Sequence, residues 1–177
     1  GLALIHHLKK TGISVKVLDK ASEIGGTWTW NRYPGAATDS EGYYYCLTFS
    51  KEILQEWTWS ERYPGWEETN KYLNFVADKC DMWPHIQLNT EVKSAKFIKE
   101  DGLWLVETNN GEQLVCKYFI SAMGMISQPV IPSYNGIEDF DGPCFHSSRW
   151  PQEGLNYNGK KVGIVGCGAS TVQMLPI

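Results

Sequence analysis

The sequence has no excess of positive charge: 16 Lys and Arg stand against 20 Asp and Glu, a formal net charge of −4. That excludes the electrostatic footprint of a nucleic-acid partner or an anionic membrane surface. No apolar run is long enough to span a bilayer. The five cysteines (Cys46, Cys80, Cys116, Cys144 and Cys167) are odd in number and form no C-x-x-C pair. Neither a metal site nor a disulfide framework is therefore expected, and the cysteines read as buried free thiols in a reducing, cytoplasmic compartment. The opening Gly1-Leu-Ala-Leu-Ile-His-His-Leu lacks a basic stretch and a cleavage site, so no secretory leader is read there. No nucleophile–base pair, His/Cys cluster or paired carboxylate stands out. If this chain does chemistry, a cofactor has to supply it.

What is present is aromatic and periodic. The 177 residues hold 8 Trp and 9 Tyr, and suffice for one domain or part of a larger one. Leu2, Leu4, Ile5 and Leu8 have helical spacing, with Lys9, Lys10 and Gly12 suited to a helix end. Ile13–Leu18 alternates as a strand ending at Asp19. Residues 21–50 read mostly as loop. Helices are expected over Glu52–Trp59 and Glu67–Cys80. Three strands, His85–Leu88, Val92–Ile98 and Leu103–Thr108, lead through a two-residue Asn-Gly hairpin turn into Gln113–Ser121, an antiparallel meander. A last strand is expected from Lys160 to Val165. The fold class is thus α/β: a Rossmann-like parallel sheet with an inserted antiparallel β-meander, followed by the start of a second Rossmann-like unit. The boundaries fall at 1–139, a linker at 140–159, and 160–177. The chain reads as entering in the first helix of one βαβ unit and leaving in the first helix of another.

Gly166-Cys-Gly168-Ala169-Ser170-Thr171, ahead of Val172, follows a predicted strand and opens a predicted helix, the context a dinucleotide fingerprint needs. The first Gly permits the turn, and the second lets backbone approach a pyrophosphate at the helix N-terminus. Thr171 stands where the fingerprint has Gly or Ala. The first unit keeps only Gly1, as the third glycine. Asp19 follows its second strand, placed to accept a ribose hydroxyl. The Gly25-Gly26 pair suits backbone approach to a phosphate or a flat ring. Trp28, Trp30, Tyr33 and Tyr45 offer stacking surfaces. His146 is a candidate acid or base, though a lone linker histidine is more often structural.

Two spacings identify a family. Phe140, Gly142, His146, Trp150 and Pro151 match F-x-G-x-x-x-H-x-x-x-W-P. Gly25, Gly26, Trp28, Tyr33, Pro34, Gly35 and Asp39 match G-G-x-W-x-x-x-x-Y-P-G-x-x-x-D. The chain resembles single-component, flavin-dependent Baeyer–Villiger monooxygenases, over its whole length. The resemblance implies FAD and NADP as cofactors, with Asp19 on the FAD ribose. It implies that Thr27, Trp28, Thr29 and Trp30 line the FAD site, that Asp39 and Tyr45 lie near the flavin, and that Val92 contacts the adenine by its backbone. Ala37, Thr38 and the turn Gly166–Val172 would hold NADP. His146 and Trp150 would act as a joint coupling domain movement to cofactor position.

The implied reaction uses NADPH and O₂ to insert oxygen into a small ketone, giving an ester or lactone, with no nucleic-acid partner and no membrane span. The alternatives are an N- or S-oxidising relative, a flavin reductase or oxidase that makes only peroxide, and a catalytically inactive fragment or dinucleotide-binding module. Met123 departs from the family's A-T-G stretch. The family's active-site arginine is expected downstream of Ile177. The 177 residues alone are expected to be weakly stable and inactive.

Overall fold

The computed structural model describes residues 1–177. Helix α1 (Leu2–Lys9) forms as its periodicity predicts and buries Ile5 completely. Its far end is tied down by Lys9, whose ammonium donates to the carbonyls of Cys80 and Asp81. The chain then enters β1 (Val17–Leu18), α2 (Thr27–Trp30) and α3 (Lys51–Glu56).

Helix α4 (Trp66–Lys79) is the longest element. Glu67 and Glu68 sit in its first turn and Lys79 in its last, matching the helix dipole. Thr69, Tyr72 and Val76 lie on its buried face. That face meets Ile5, Ile24, Ile53 and Met82 in one core, each such side chain contributing about 1.5–3 kcal/mol by leaving water. Tyr72 is fully buried, and the Leu47 N–H donates to its hydroxyl at 2.6 Å. Burial pushes that hydroxyl up to about 12, with the Leu47 bond opposing the shift. Trp57 and Trp59 close over Tyr72, at 5.2 and 4.9 Å between ring centroids.

Two sheets follow. Strand β2 (Ile86–Gln87) pairs parallel with β1, Val17 opposite Ile86. Strands β3 (Val92–Ile98), β4 (Leu103–Thr108) and β5 (Gln113–Cys116) form the antiparallel meander in that order. Glu112, at the β4–β5 turn, ties the sheets together, accepting from Lys16 at 2.8 Å and from Gln87 at 2.7 Å. The last helix is α5 (Ala169–Met174).

Several expectations need correction. The segment His85–Leu88 belongs to the parallel pair, not to the meander. Its alternation would suit either sheet, and pairing with β1 decided it. The first strand keeps only Val17–Leu18 of the expected Ile13–Leu18, because Ile13 and Ser14 are exposed and have no partner strand. The hairpin loop spans three residues rather than two. Thr108 N–H bonds Glu112 O at 3.1 Å, and Gly111 takes φ +83° at the loop's end, the three-residue loop with a left-handed closing residue. β5 stops at Cys116 instead of running to Ser121. Residues Lys160–Val165 form no strand: they are exposed throughout and pair with nothing, and a strand exists only through its ladder. None of the five free thiols is buried: Cys46, Cys80 and Cys116 are half-buried, while Cys144 and Cys167 are exposed.

Candidate functional site

Asp19 stands at the carboxyl end of β1. Its N–H donates to Gln87 O at 3.0 Å and its carbonyl accepts from Thr90 at 2.8 Å. One carboxylate oxygen accepts from the Ala21 N–H at 2.9 Å, an Asx turn, and the other is left for a ligand. Both readings of Asp19, turn former and ribose acceptor, are therefore compatible. Val92 opens β3 two residues after Thr90, whose N–H holds the Asp19 carbonyl.

The Gly25-Gly26 pair turns the chain into α2. Gly25 has φ +151°, and a Cβ there would fall 2.4 Å from both Asn70 Nδ2 and Thr29 Oγ1. Asn70 itself donates to Ile24 O at 3.1 Å, clamping the turn onto α4. Gly26 differs: an added Cβ there meets nothing within 4 Å, and the same holds at Gly1 and Gly168. At Gly168 nothing in the protein demands glycine, whereas Gly26, at φ +56°, needs it for its backbone conformation alone. The Thr29 hydroxyl is buried without a partner. Open space above three glycines and an orphaned hydroxyl fit a flat or phosphate-bearing group laid along these turns.

Trp28 packs edge-on to Tyr45 at 5.8 Å. Burial raises the Tyr45 hydroxyl; the Trp28 indole bond opposes this and the Asp39 carboxylate adds to it. Asp39, Tyr45 and Trp28 thus form one cluster, with Asp39 exposed at its edge. Thr38 is buried, held by its N–H to Pro64 O at 3.0 Å, and Ala37 bridges to Gly65.

The turn Gly166–Val172 reaches this cluster through a residue the sequence did not point to. Gln173 accepts from the Tyr33 hydroxyl at 2.7 Å and donates to Ala37 O at 2.8 Å. Gly35 is required here, because a Cβ would lie 2.4 Å from Gln173 O and φ is +73°. No local signal marks Gln173, since both partners are remote in sequence. Ala37 is thereby tied to the helix that the second Gly-rich turn opens, and Gly166, Cys167 and Gly168 in that turn are exposed.

In the linker, His146 caps a single turn, Ser147–Arg149. Its Nδ1 accepts from the Ser148 N–H at 3.1 Å. That bond leaves the ring proton on Nε2 and gives the imidazole a structural task. Trp150 packs edge-on against Phe145 at 5.0 Å and Tyr157 at 6.4 Å. Between this segment and the aromatic loop lies a cleft of about 380 Å³, floored by Arg32, Tyr33 and Trp66 and roofed by Trp150, Leu155 and Tyr157. Arg32 pairs with Glu23 and stacks on Trp66 at 4.7 Å.

The family profile described as "Flavin-binding monooxygenase-like" matches residues 1–175. The acetone monooxygenase (methyl acetate-forming) of Gordonia sp. (strain TY-5) is 42% identical over 175 residues, 99% of this chain and 33% of that protein. The phenazine N-monooxygenase PhzNO1 of Lysobacter antibioticus is 38% identical over 176 residues, 99% of this chain and 32% of that protein. The crystal structure of an OTEMO complex with FAD and NADP matches with a TM-score of 0.92 at 38% identity, over 99% of this chain and 34% of that one. The chain spans about a third of the length of the proteins it matches.

Proposed function

The chain belongs to the flavin-binding monooxygenase-like family, and from that premise we propose that the protein carrying it uses FAD, NADPH and O₂ to insert one oxygen atom into a ketone, giving an ester or lactone. The observation that carries this reading is the docking of α5, the helix that the Gly166–Gly168 turn opens, on the loop that runs on from Gly25. Gln173 of that helix bonds Tyr33 and Ala37. Two cofactors that exchange a hydride need such neighbouring cradles. The 42% identity to an enzyme named for forming methyl acetate from acetone supports the ketone branch.

Residues 1–139 would bind FAD, 140–159 would link, and 160–177 would open the NADP-binding unit. Asp19 would accept the FAD ribose hydroxyls through its unengaged oxygen, with Gly1 and the Val92 backbone on the adenosine side. Gly25 and Gly26 would admit the cofactor, and Thr27, Trp28, Thr29 and Trp30 would line it, the Thr29 hydroxyl finding there the partner it lacks in the protein. When bound, FAD would supply the hydride-accepting and O₂-activating chemistry that these side chains lack. Asp39, beside Tyr45, would orient the nicotinamide against the flavin and so acts closest to the chemistry. Ala37, Thr38, Gly166, Gly168, Ala169, Ser170, Thr171 and Val172 would hold NADP. The paired rings of Trp28 and Tyr45, with Trp30 nearby in the chain, would help keep water from a site where water wastes activated oxygen. His146 and Trp150 would shape the linker rather than transfer protons. Free thiols support a reducing, cytoplasmic setting.

The 38% identity to a phenazine N-monooxygenase favours nitrogen oxidation as the second reading. The test is an assay of the protein from its complete reading frame with NADPH, ¹⁸O₂ and acetone, cyclohexanone or an aromatic N-heterocycle. The expected product is an ester or lactone carrying one ¹⁸O per NADPH consumed. N-oxide without ester would establish the second reading, and peroxide alone would overturn both.

A further inference from the structure

Trp30 is where the two motif segments touch. Its indole carries two cations, the Arg149 guanidinium at 5.3 Å and the Lys20 ammonium at 5.6 Å from the ring centre. Arg149 is well fixed at its base. Its N–H donates to His146 O at 2.8 Å, and its guanidinium also donates to Ser148 O at 2.9 Å. The next residue, Trp150, begins the roof over the 380 Å³ cleft. Ser148, just before Arg149, is the one buried residue beyond Thr108. Downstream of Trp150 the chain is exposed apart from the half-buried Pro151, Tyr157, Ser170 and Thr171, until Gln173 takes hold of Tyr33 and Ala37.

We propose that Arg149 is a positioning residue: stacked on Trp30, it latches the linker roof onto α2 and holds the cleft and the Gly25–Trp30 turn in one geometry. A planar guanidinium can lie flat on an indole while an ammonium cannot, so Arg149 makes the attachment. Lys20 is a like charge sharing the same ring. It repels the guanidinium and keeps the latch weak enough to release. The kinetic part of this inference rests on the proposed function; the structural part does not.

The test compares Arg149→Ala, Arg149→Lys and Lys20→Gln in the protein from its complete reading frame, with unchanged circular dichroism as the check on folding. Hydrogen exchange over residues 151–158 reads the roof directly. Arg149→Ala should speed exchange there about two- to fivefold, the effect of losing one exposed cation–π contact. Arg149→Lys should fall between the wild type and Arg149→Ala, and Lys20→Gln should slow exchange. Wild-type exchange in Arg149→Ala would overturn the latch. So would acceleration in Lys20→Gln, since the roof would then be responding to lost charge rather than to Arg149.

In turnover, Arg149→Ala should raise the KM for NADPH and the peroxide released per NADPH by similar factors, with kcat less affected. An unchanged KM and peroxide yield would remove its positioning role. Faster roof exchange in a protein that oxidises no NADPH would leave the latch standing and defeat the proposed function instead.

Discussion

Residues 1–108 and residues 117–177 are built on opposite terms. The first stretch holds 20 of the 21 buried residues and the whole core around Tyr72, while the second contributes only Ser148. The second stretch is no less apolar in sequence. Ile126, Val130, Val162 and Val165 are strand formers, yet they are exposed by 61 to 79% and form no ladder. The difference teaches that strand propensity becomes structure only where a partner strand is at hand. The second stretch meets the first through a few side chains, among them Arg149 and Gln173, while the first holds through a core.

The sharpest way to break this contrast is at the core. Tyr72→Ala should cost about 3–5 kcal/mol, because it opens a cavity under Trp57 and Trp59 and strands the Leu47 N–H. Met125→Ala, at a side chain 99% exposed, should change stability by less than about 0.5 kcal/mol. Denaturant titration of both variants measures the gap, and equal losses would show that the second stretch shares the core's cooperativity.

Next comes the pair of glycines at the start of α2. Gly25→Ala should cost about 1–3 kcal/mol and lower flavin content, since its Cβ meets Asn70 and Thr29 at a backbone angle alanine resists. Gly26→Ala adds no clash. It should cost only the positive-φ backbone strain of about 1–3 kcal/mol, so any larger loss of flavin than of stability marks the place where the cofactor approaches. Absorbance of the purified protein against its denaturation midpoint separates the two.

A smaller effect tests the tether. Gln173→Ala removes bonds to Tyr33 and Ala37 and should weaken the docking of α5 by about 1 kcal/mol. Faster amide exchange over residues 168–174, with the core unchanged, is the expected result. Equal change in α4 would mean that the stretches unfold together.

The smallest effect belongs to His6, stacked on Phe49 at 4.2 Å with Nε2 buried and unpartnered. Burial, then Lys10, His7 and Lys9, lower its pKa. The folded state thus binds a proton less readily than the unfolded chain, so this contribution is present above the ordinary histidine value near 6.5 and declines as pH falls through it. The midpoint should drop between pH 7.5 and 5.5 in the wild type and drop less in His6→Gln. An identical pH profile in the variant would assign the loss elsewhere.

The elements that could be read from sequence were those set by local periodicity. α1, α4, β3 and β4 lie within a residue or two of their expected places because apolar spacing alone determines them. The helical turn at Thr27–Trp30 escaped, since four residues carry no period. β2 was placed in the wrong sheet because Ile86–Leu88 shows which face is apolar but not which strand lies beside it. The site divided in the same way. Asp19, Gly25 and Asp39 are proposed from spacing and motif. Gln173, Arg149 and Glu112 could not be, because each acts across a long stretch of chain through a single side chain with no pattern around it.

The exposure of Cys144 and Cys167 has a practical consequence. They bracket the roof segment, one just before His146 and the other inside the second Gly-rich turn, while the other three thiols are half-buried, and burial makes Cys80 a weaker acid. Gentle alkylation should therefore mark this pair first. A nitroxide or a donor–acceptor dye on each would turn the placement of the linker against the turn into a distance distribution, read in the native sequence without introducing a single new residue.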